Sequence, residues 1–202
     1  QTKTAKYVFY FIGDGMGVNQ VNGTEMYFAQ KEGKIGVKPL SFSKFPSATF
    51  ASTYSVYNSV TCSAAAGTAL ATGVKTKNGT IGMDSLQKTA LYSVAVKAKK
   101  AGKKVGITTS VSIDHATPAC FYAHQPDRNM YYEIATDLPK TGFDFYAGAG
   151  FLKPTNPKDK NAPEIYNLFK ESNYTVAKGY DDFKAKNKNA SNYWLCAVFI
   201  IL

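Results

Sequence analysis

The spacing of apolar and polar positions changes several times along the 202 residues. Residues 7–12, Tyr-Val-Phe-Tyr-Phe-Ile, are an unbroken apolar run that empties into Gly13-Asp14-Gly15-Met16-Gly17, the pattern of a buried parallel strand followed by a glycine turn. Residues 18–31 carry helical spacing, and Gly33 stops it. Residues 45–57 mix aromatic and β-branched side chains in partial alternation and predict a strand. Small residues from Ser63 to Gly73 predict a helix, and residues 85–101 set Leu86, Leu91, Val94 and Ala98 at near-helical spacing before Gly102. Residues 104–110 then read as a β-branched strand. A helix over 129–138, a strand and glycine turn over 143–150, and short helices over 163–171 and 180–187 follow. The almost wholly apolar residues 193–202 read as a central strand.

A helix feeding directly into a strand belongs in a parallel sheet, so the expected fold is α/β, doubly wound, with a mostly parallel sheet flanked by helices. Residues 1–202 are expected to form a single α/β domain, for which 45% hydrophobic content supplies a core. The closing apolar run has no polar cap or turn after it, and the expectation is that the chain is the N-terminal part of something longer. A start at Gln1 is expected of an exported protein whose signal has been removed. No Lys/Arg-flanked apolar 20-mer is present, so no membrane span is expected.

Charge then narrows the partners. Lys and Arg number 24 against 14 Asp and Glu, and the net charge of +10 favours anions. The lysine clusters at 97–104 and 184–188 lack interleaved aromatics and read as solvated surface, so nucleic acid is not an expected partner. Arg128 is the only arginine, and its planar fork suits a phosphate. Cys62, Cys120 and Cys196 are too few and too irregular for a disulfide framework or a zinc ribbon.

Candidate chemistry gathers at the ends of these elements. Ser63 stands at a helix start, where unpaired N–H groups and the positive dipole suit a bound phosphate or a nucleophile; a plain helix cap is the alternative. Asp14 lies beyond a strand end and could hold a metal or accept turn N–H groups. Asp114, His115 and Thr117 could bind a cation between them, or His115 could be a structural hydrogen-bonding residue.

Three stretches in one order resemble the alkaline phosphatase family: Phe11–Gly17, the Val60–Asp84 block around Ser63, and His115-Ala116-Thr117-Pro118 through His124 to Arg128. The resemblance covers about the first two-thirds of the chain. It implies a metal-dependent phosphomonoester hydrolase using Zn²⁺ and Mg²⁺, acting on phosphate monoesters and inorganic phosphate. A homodimer in a periplasmic or extracellular setting is implied as well. By the same resemblance Ser63 is the nucleophile that forms a phosphoserine intermediate and a metal ligand, and Arg128 is the phosphate clamp. Asp14 is the carboxylate shared between zinc and magnesium, Thr117 a magnesium-site hydroxyl, and His115 a ligand whose variation among members leaves the third metal open between Mg²⁺ and Zn²⁺. Cys62 stands where many members carry an acid that orients the arginine, so a looser Arg128 is expected. With His115 and His124 as the only histidines, the family's imidazole-rich zinc sites are not completed in this sequence.

Two other readings stay open. A sulfatase-like ester hydrolase of the same superfamily would need a Pro and an Arg shortly after the nucleophile, which Cys62-Ser63-Ala64-Ala65 lacks. A non-catalytic anion- or nucleic-acid-binding fragment is supported by the +10 charge.

Overall fold

The computed structural model describes residues 5–186 and the backbone of 193–196, and the chain divides into two compact units, Gln1–Ser52 and Thr53–Leu202. In the first unit the turn at Gly13–Gly17 delivers the chain into α1 (Val18–Lys31). The Gly17 N–H donates to Gln20 Oε1 at 3.0 Å, and Gly33 at φ 69° ends the helix as its sequence predicts. Glu25 on α1 accepts the Leu40 N–H at 2.9 Å and the Ser43 hydroxyl at 2.5 Å, fixing a 3₁₀ turn at Phe42–Lys44. Those bonds, Ser43 first, hold the Glu25 carboxyl below its ordinary value.

Two predicted strands do not form. Residues 7–12 take no regular secondary structure, with Val8 and Phe11 more than four-fifths exposed (82% and 87%). The described elements of this unit are a helix and a 3₁₀ turn, so an apolar run there has no neighbouring strand to pair with. Residues 45–57 are irregular as well. In their second-unit part the backbone bonds are local or reach a loop: Ser55 N–H to Asn58 O and Val56 N–H to Thr76 O, each 3.0 Å.

The second unit holds a four-stranded, all-parallel sheet in the order β1 (Gly106–Thr108), β2 (Phe145–Gly148), β4 (Tyr193–Cys196), β3 (Thr175–Lys178). The last predicted strand is therefore central over 193–196; its remainder lies outside the described residues. Around the sheet run α2 (Ser63–Thr72), α3 (Val94–Lys100), α4 (Ala116–Ala119), α5 (Tyr131–Asp137), α6 (Ile165–Glu171) and α7 (Tyr180–Lys186). The parallel sheet flanked by helices is the predicted fold class.

The core is built on β2. Tyr146 is fully buried, with the rings of Tyr122, Phe143, Phe169 and Tyr174 about it at centroid distances of 6.0, 6.0, 6.5 and 6.0 Å. The phenols are satisfied on the backbone: Tyr122 donates to Ile113 O at 2.6 Å and Tyr174 to Phe143 O at 2.7 Å.

The helix predicted over 85–101 is less than half as long as its pattern. Only α3 forms, started by Ser93, whose hydroxyl accepts the Val96 N–H at 3.2 Å, and ended at Gly102 with φ 75°. Residues before it are claimed by a turn: Asp84 Oδ1 accepts the N–H groups of Lys88 and Thr89, Met83 bridges Ala90 antiparallel, and Gln87 sits at φ 59°. A side chain that satisfies backbone N–H groups locally removes the incentive for a helix there.

Candidate active site

Helix α2 forms because its residues are small and its end is a glycine; Gly73 takes φ 80° and its N–H bonds Ala69 O. The N-cap is Cys62, in extended geometry, and Ser63 is the first helical residue, half-buried. Ser63 is thus not the cap, and its hydroxyl rides on the first turn of a helix whose N–H groups gather positive potential.

Helix α4 packs on α2 through the same small residues. A side chain at Gly67 would meet Cys120 Sγ at 2.9 Å and Thr117 Cα at 3.5 Å, so the absence of one lets the helices close. The Cys120 thiol donates to Ala64 O at 3.1 Å. Thr117 therefore lies against Gly67, one helical turn after Ser63, and His115 is the N-cap of α4. Both side chains are half-buried.

A loop stitches α2 to the segment that carries Arg128. Asn78 Oδ1 accepts the Cys62 N–H at 3.2 Å, and its amide donates to Val60 O at 3.0 Å. The Gly79 N–H donates to Cys62 Sγ at 3.1 Å, while Gly79 O accepts the Arg128 N–H at 2.8 Å. Further along, Ile81 and Gln125 exchange two backbone bonds of 2.9 and 3.0 Å, and Thr68 Oγ1 accepts the Gly82 N–H at 3.0 Å. None of the ion pairs among the described residues uses Arg128, whose side chain is half-buried.

Electrostatics at the helix start follow from this geometry. Burial pushes the Cys62 thiol up, but the N–H groups of Ala65, Gly79 and Ala64 and the Arg128 charge together bring it below its ordinary value. Cys120, deeper in the seam, is pushed up to about 12 by burial. Asp114 is fully buried; Oδ2 accepts the Leu152 N–H at 2.8 Å, and burial raises its carboxyl against the pull of Ser112 and those N–H groups. Its visible work is to hold the loop after β2.

Of the predicted site residues, Ser63, Thr117, His115 and Arg128 lie in the second unit, and Asp14 is exposed on its turn in the first. His124 is engaged structurally: Nδ1 bonds Gly82 O at 2.8 Å and its ring meets Tyr92 edge-on. Asn78 and Gly79 were not singled out by sequence reasoning. Their signal was present in Asn-Gly, a turn dipeptide, between the serine helix and the rest.

Comparison with known proteins adds lineage to this geometry. A family profile described as alkaline phosphatase matches residues 5–147. Alkaline phosphatase 4 of Drosophila melanogaster is 38% identical over 152 residues, covering 71% of this chain and 25% of the fly protein. The alkaline phosphatase of the Antarctic bacterium TAB5 superposes with a TM-score of 0.73 at 29% identity, over 88% of this chain and 50% of that one. A variant of the TAB5 enzyme, with a histidine replaced by glutamate and magnesium bound in its M3 site, gives 0.75 at 29% identity, over 92% and 51%. The chain thus spans a quarter to a half of these relatives' length.

Proposed function

Because the chain belongs to the alkaline phosphatase family, we propose that it supplies the phosphate-receiving part of a phosphomonoester hydrolase, with Ser63 as nucleophile and Arg128 as phosphate clamp. The observation that carries this reading is the start of α2: a serine on the first helical turn, tied through Cys62 and Gly79 to the chain's one arginine.

Ser63 Oγ attacks phosphorus, the P–O bond to the alcohol breaks, and the alcohol leaves with a proton. Water then cleaves the phosphoserine and releases inorganic phosphate. Phosphoryl transfer asks the protein chiefly for positioning and for neutralising the equatorial oxygens. The forked guanidinium and the helix start supply that here.

The family's metals are part of the proposal at a coarser level. Among the described residues no three His, Cys, Asp or Glu side chains cluster as metal ligands. The donors among the described residues therefore do not make a complete zinc centre. Asp14, His115, Thr117 and Ser63 are proposed as the donors this chain contributes toward Zn²⁺ and Mg²⁺. The magnesium held in the M3 site of the histidine-to-glutamate TAB5 variant supports Mg²⁺ as one of these metals. Assembly as a homodimer, a periplasmic or extracellular setting and the reading of both units as one α/β domain rest on family likeness. Among the described residues no helix is long and apolar enough to cross a membrane.

The test replaces Ser63 by Ala in the longest natural form of the protein and follows p-nitrophenyl phosphate hydrolysis at alkaline pH with Zn²⁺ and Mg²⁺. Loss of turnover is expected, and undiminished turnover would reject the assignment. Replacing the phosphate ester by a sulfate ester should give little hydrolysis.

A further inference from the structure

We infer that Gln87 is a positioning residue for phosphate binding: its side-chain amide ties Pro126 to Thr80 and so fixes the β-bulge that sets Arg128 opposite Gly79. The inference rests on Arg128 as the proposed phosphate clamp and names a residue, remote from the helix start, that holds the clamp's backbone in place.

The segment before Arg128 runs antiparallel to the loop after α2. Ile81 and Gln125 exchange two backbone bonds of 2.9 and 3.0 Å, and the Arg128 N–H donates to Gly79 O at 2.8 Å. Between these contacts one side has a single residue, Thr80, and the other has two, Pro126 and Asp127. That is the count of a β-bulge, a device that re-aims the side chain next to it. In a regular ladder Asp127 would stand opposite Gly79, and the extra residue puts Arg128 there instead.

The bulge has little support of its own. Pro126 has no N–H to give and is exposed. Beside it a cleft of about 400 Å³ opens between Lys77–Gly79 and Asp127, so packing does not hold the two sides together there. Gln87 spans the gap. Its Nε2 donates to Pro126 O at 2.6 Å and to the hydroxyl of the buried Thr80 at 2.9 Å, one bond to each side of the bulge.

The backbone of Gln87 is the second observation. It sits at φ 59° in the turn closed by Met83 and Ala90, with its N–H donating to Asp84 O at 3.0 Å. Side chains enter that left-handed region at a cost, and Gly or Asn meets the turn's demand more easily. A strained glutamine whose amide braces the arginine's segment points to the side chain, not the turn, as the reason for the residue. Asn carries the amide on a stem one methylene shorter, Gly carries none, and Met matches the length without a donor. Positioning and turn formation can therefore be separated.

The test uses the longest natural form with Zn²⁺ and Mg²⁺ and compares wild type, Gln87→Asn, Gln87→Gly, Gln87→Met, Arg128→Ala and the Gln87→Gly/Arg128→Ala double variant. Melting temperature, kcat and KM for p-nitrophenyl phosphate, and inhibition by inorganic phosphate are measured at one pH. Gln87→Asn and Gln87→Gly should raise KM and the phosphate inhibition constant together, about threefold to tenfold, the size of one lost hydrogen bond, with kcat changed less. Their melting temperatures should stay near wild type, because the relieved backbone offsets the lost bonds. Gln87→Met should raise the same constants and also melt lower, since it keeps the strain without the bonds. The double variant should bind phosphate no worse than Arg128→Ala, because the amide acts through the arginine.

A residue that serves only the turn would leave phosphate binding unchanged in the Asn and Gly variants, and that result overturns the inference. So do additive losses in the double variant, or weaker phosphate binding only where the melting temperature falls. Failure of the functional reading looks different: Ser63→Ala would keep its turnover and Arg128→Ala its phosphate inhibition, and the inference would fall with that reading.

Discussion

Cys62 and Cys120 lie on one helix seam yet should behave as opposites. Cys62 is half-buried beside amide N–H groups and a guanidinium, whereas Cys120 is 2% exposed, its S–H directed at Ala64 O and Ala116 O. Alkylation needs access and a share of thiolate, and Cys120, pushed up to about 12, offers neither near neutral pH. In a Cys196→Ser background, iodoacetamide is therefore expected to label Cys62 and spare Cys120, as read by intact mass and peptide mapping. Millimolar inorganic phosphate should slow the labelling, because the anion would sit where the reagent must enter. Equal labelling of both thiols would contradict the described burial. At this scale the small residues matter as much as the reactive ones. Gly67 and Gly79 carry no chemistry, yet one lets α4 close on α2 and the other joins Cys62 to Arg128.

Among the elements, the junction of α3, β1 and β2 turns on Asp144. Its carboxylate pairs with Lys99 at 2.8 Å and Lys104 at 2.9 Å and accepts the Val105 N–H at 2.9 Å. Burial pushes the carboxyl up, but the lysines and the N–H outweigh it and set it below its ordinary value. A depressed carboxyl stabilises the fold above its unfolded-state pKa, near 3.9, and loses that contribution as pH falls through the folded value. Asp144→Ala should therefore cost roughly 1–3 kcal/mol in urea unfolding at neutral pH, chiefly through the stranded Val105 N–H. The gap from wild type should narrow below about pH 4. The elements also show what was legible in advance. Helices α1 and α2 were, because their stop signals, Gly33 and Gly73, act within a turn of the residues they end. The absence of a helix over 85–93 was not: Leu86 and Leu91 mimic a helical face, but Asp84 captures the N–H groups of Lys88 and Thr89 first. Residues 7–12 have a strand's composition, and a strand also needs a neighbour, which composition cannot supply. In the same way Ser63 announced itself by its place before a run of small residues. Gly79 stayed hidden because its contribution is entirely backbone.

For the molecule as a whole, the division at Ser52 and Thr53 makes a prediction about cleavage. Phe50 is 90% exposed in irregular chain near that division, while Phe143 and Phe169 are buried. Brief chymotrypsin treatment of the 202-residue chain should cut at Phe50 or the exposed aromatics of 7–11 before any site in the second unit's core. N-terminal sequencing of the first stable fragment would show it, and first cuts inside the core would refute the division. The sheet order carries a consequence for synthesis. β3 is paired only with β4 among the described residues, and β4 also takes the flank of β2. On the ribosome β3 emerges first and must wait, on the order of seconds, for the strand that will bind it. Its unpaired edge during that interval is an opening for a chaperone, or for the wrong strand of a neighbouring nascent chain.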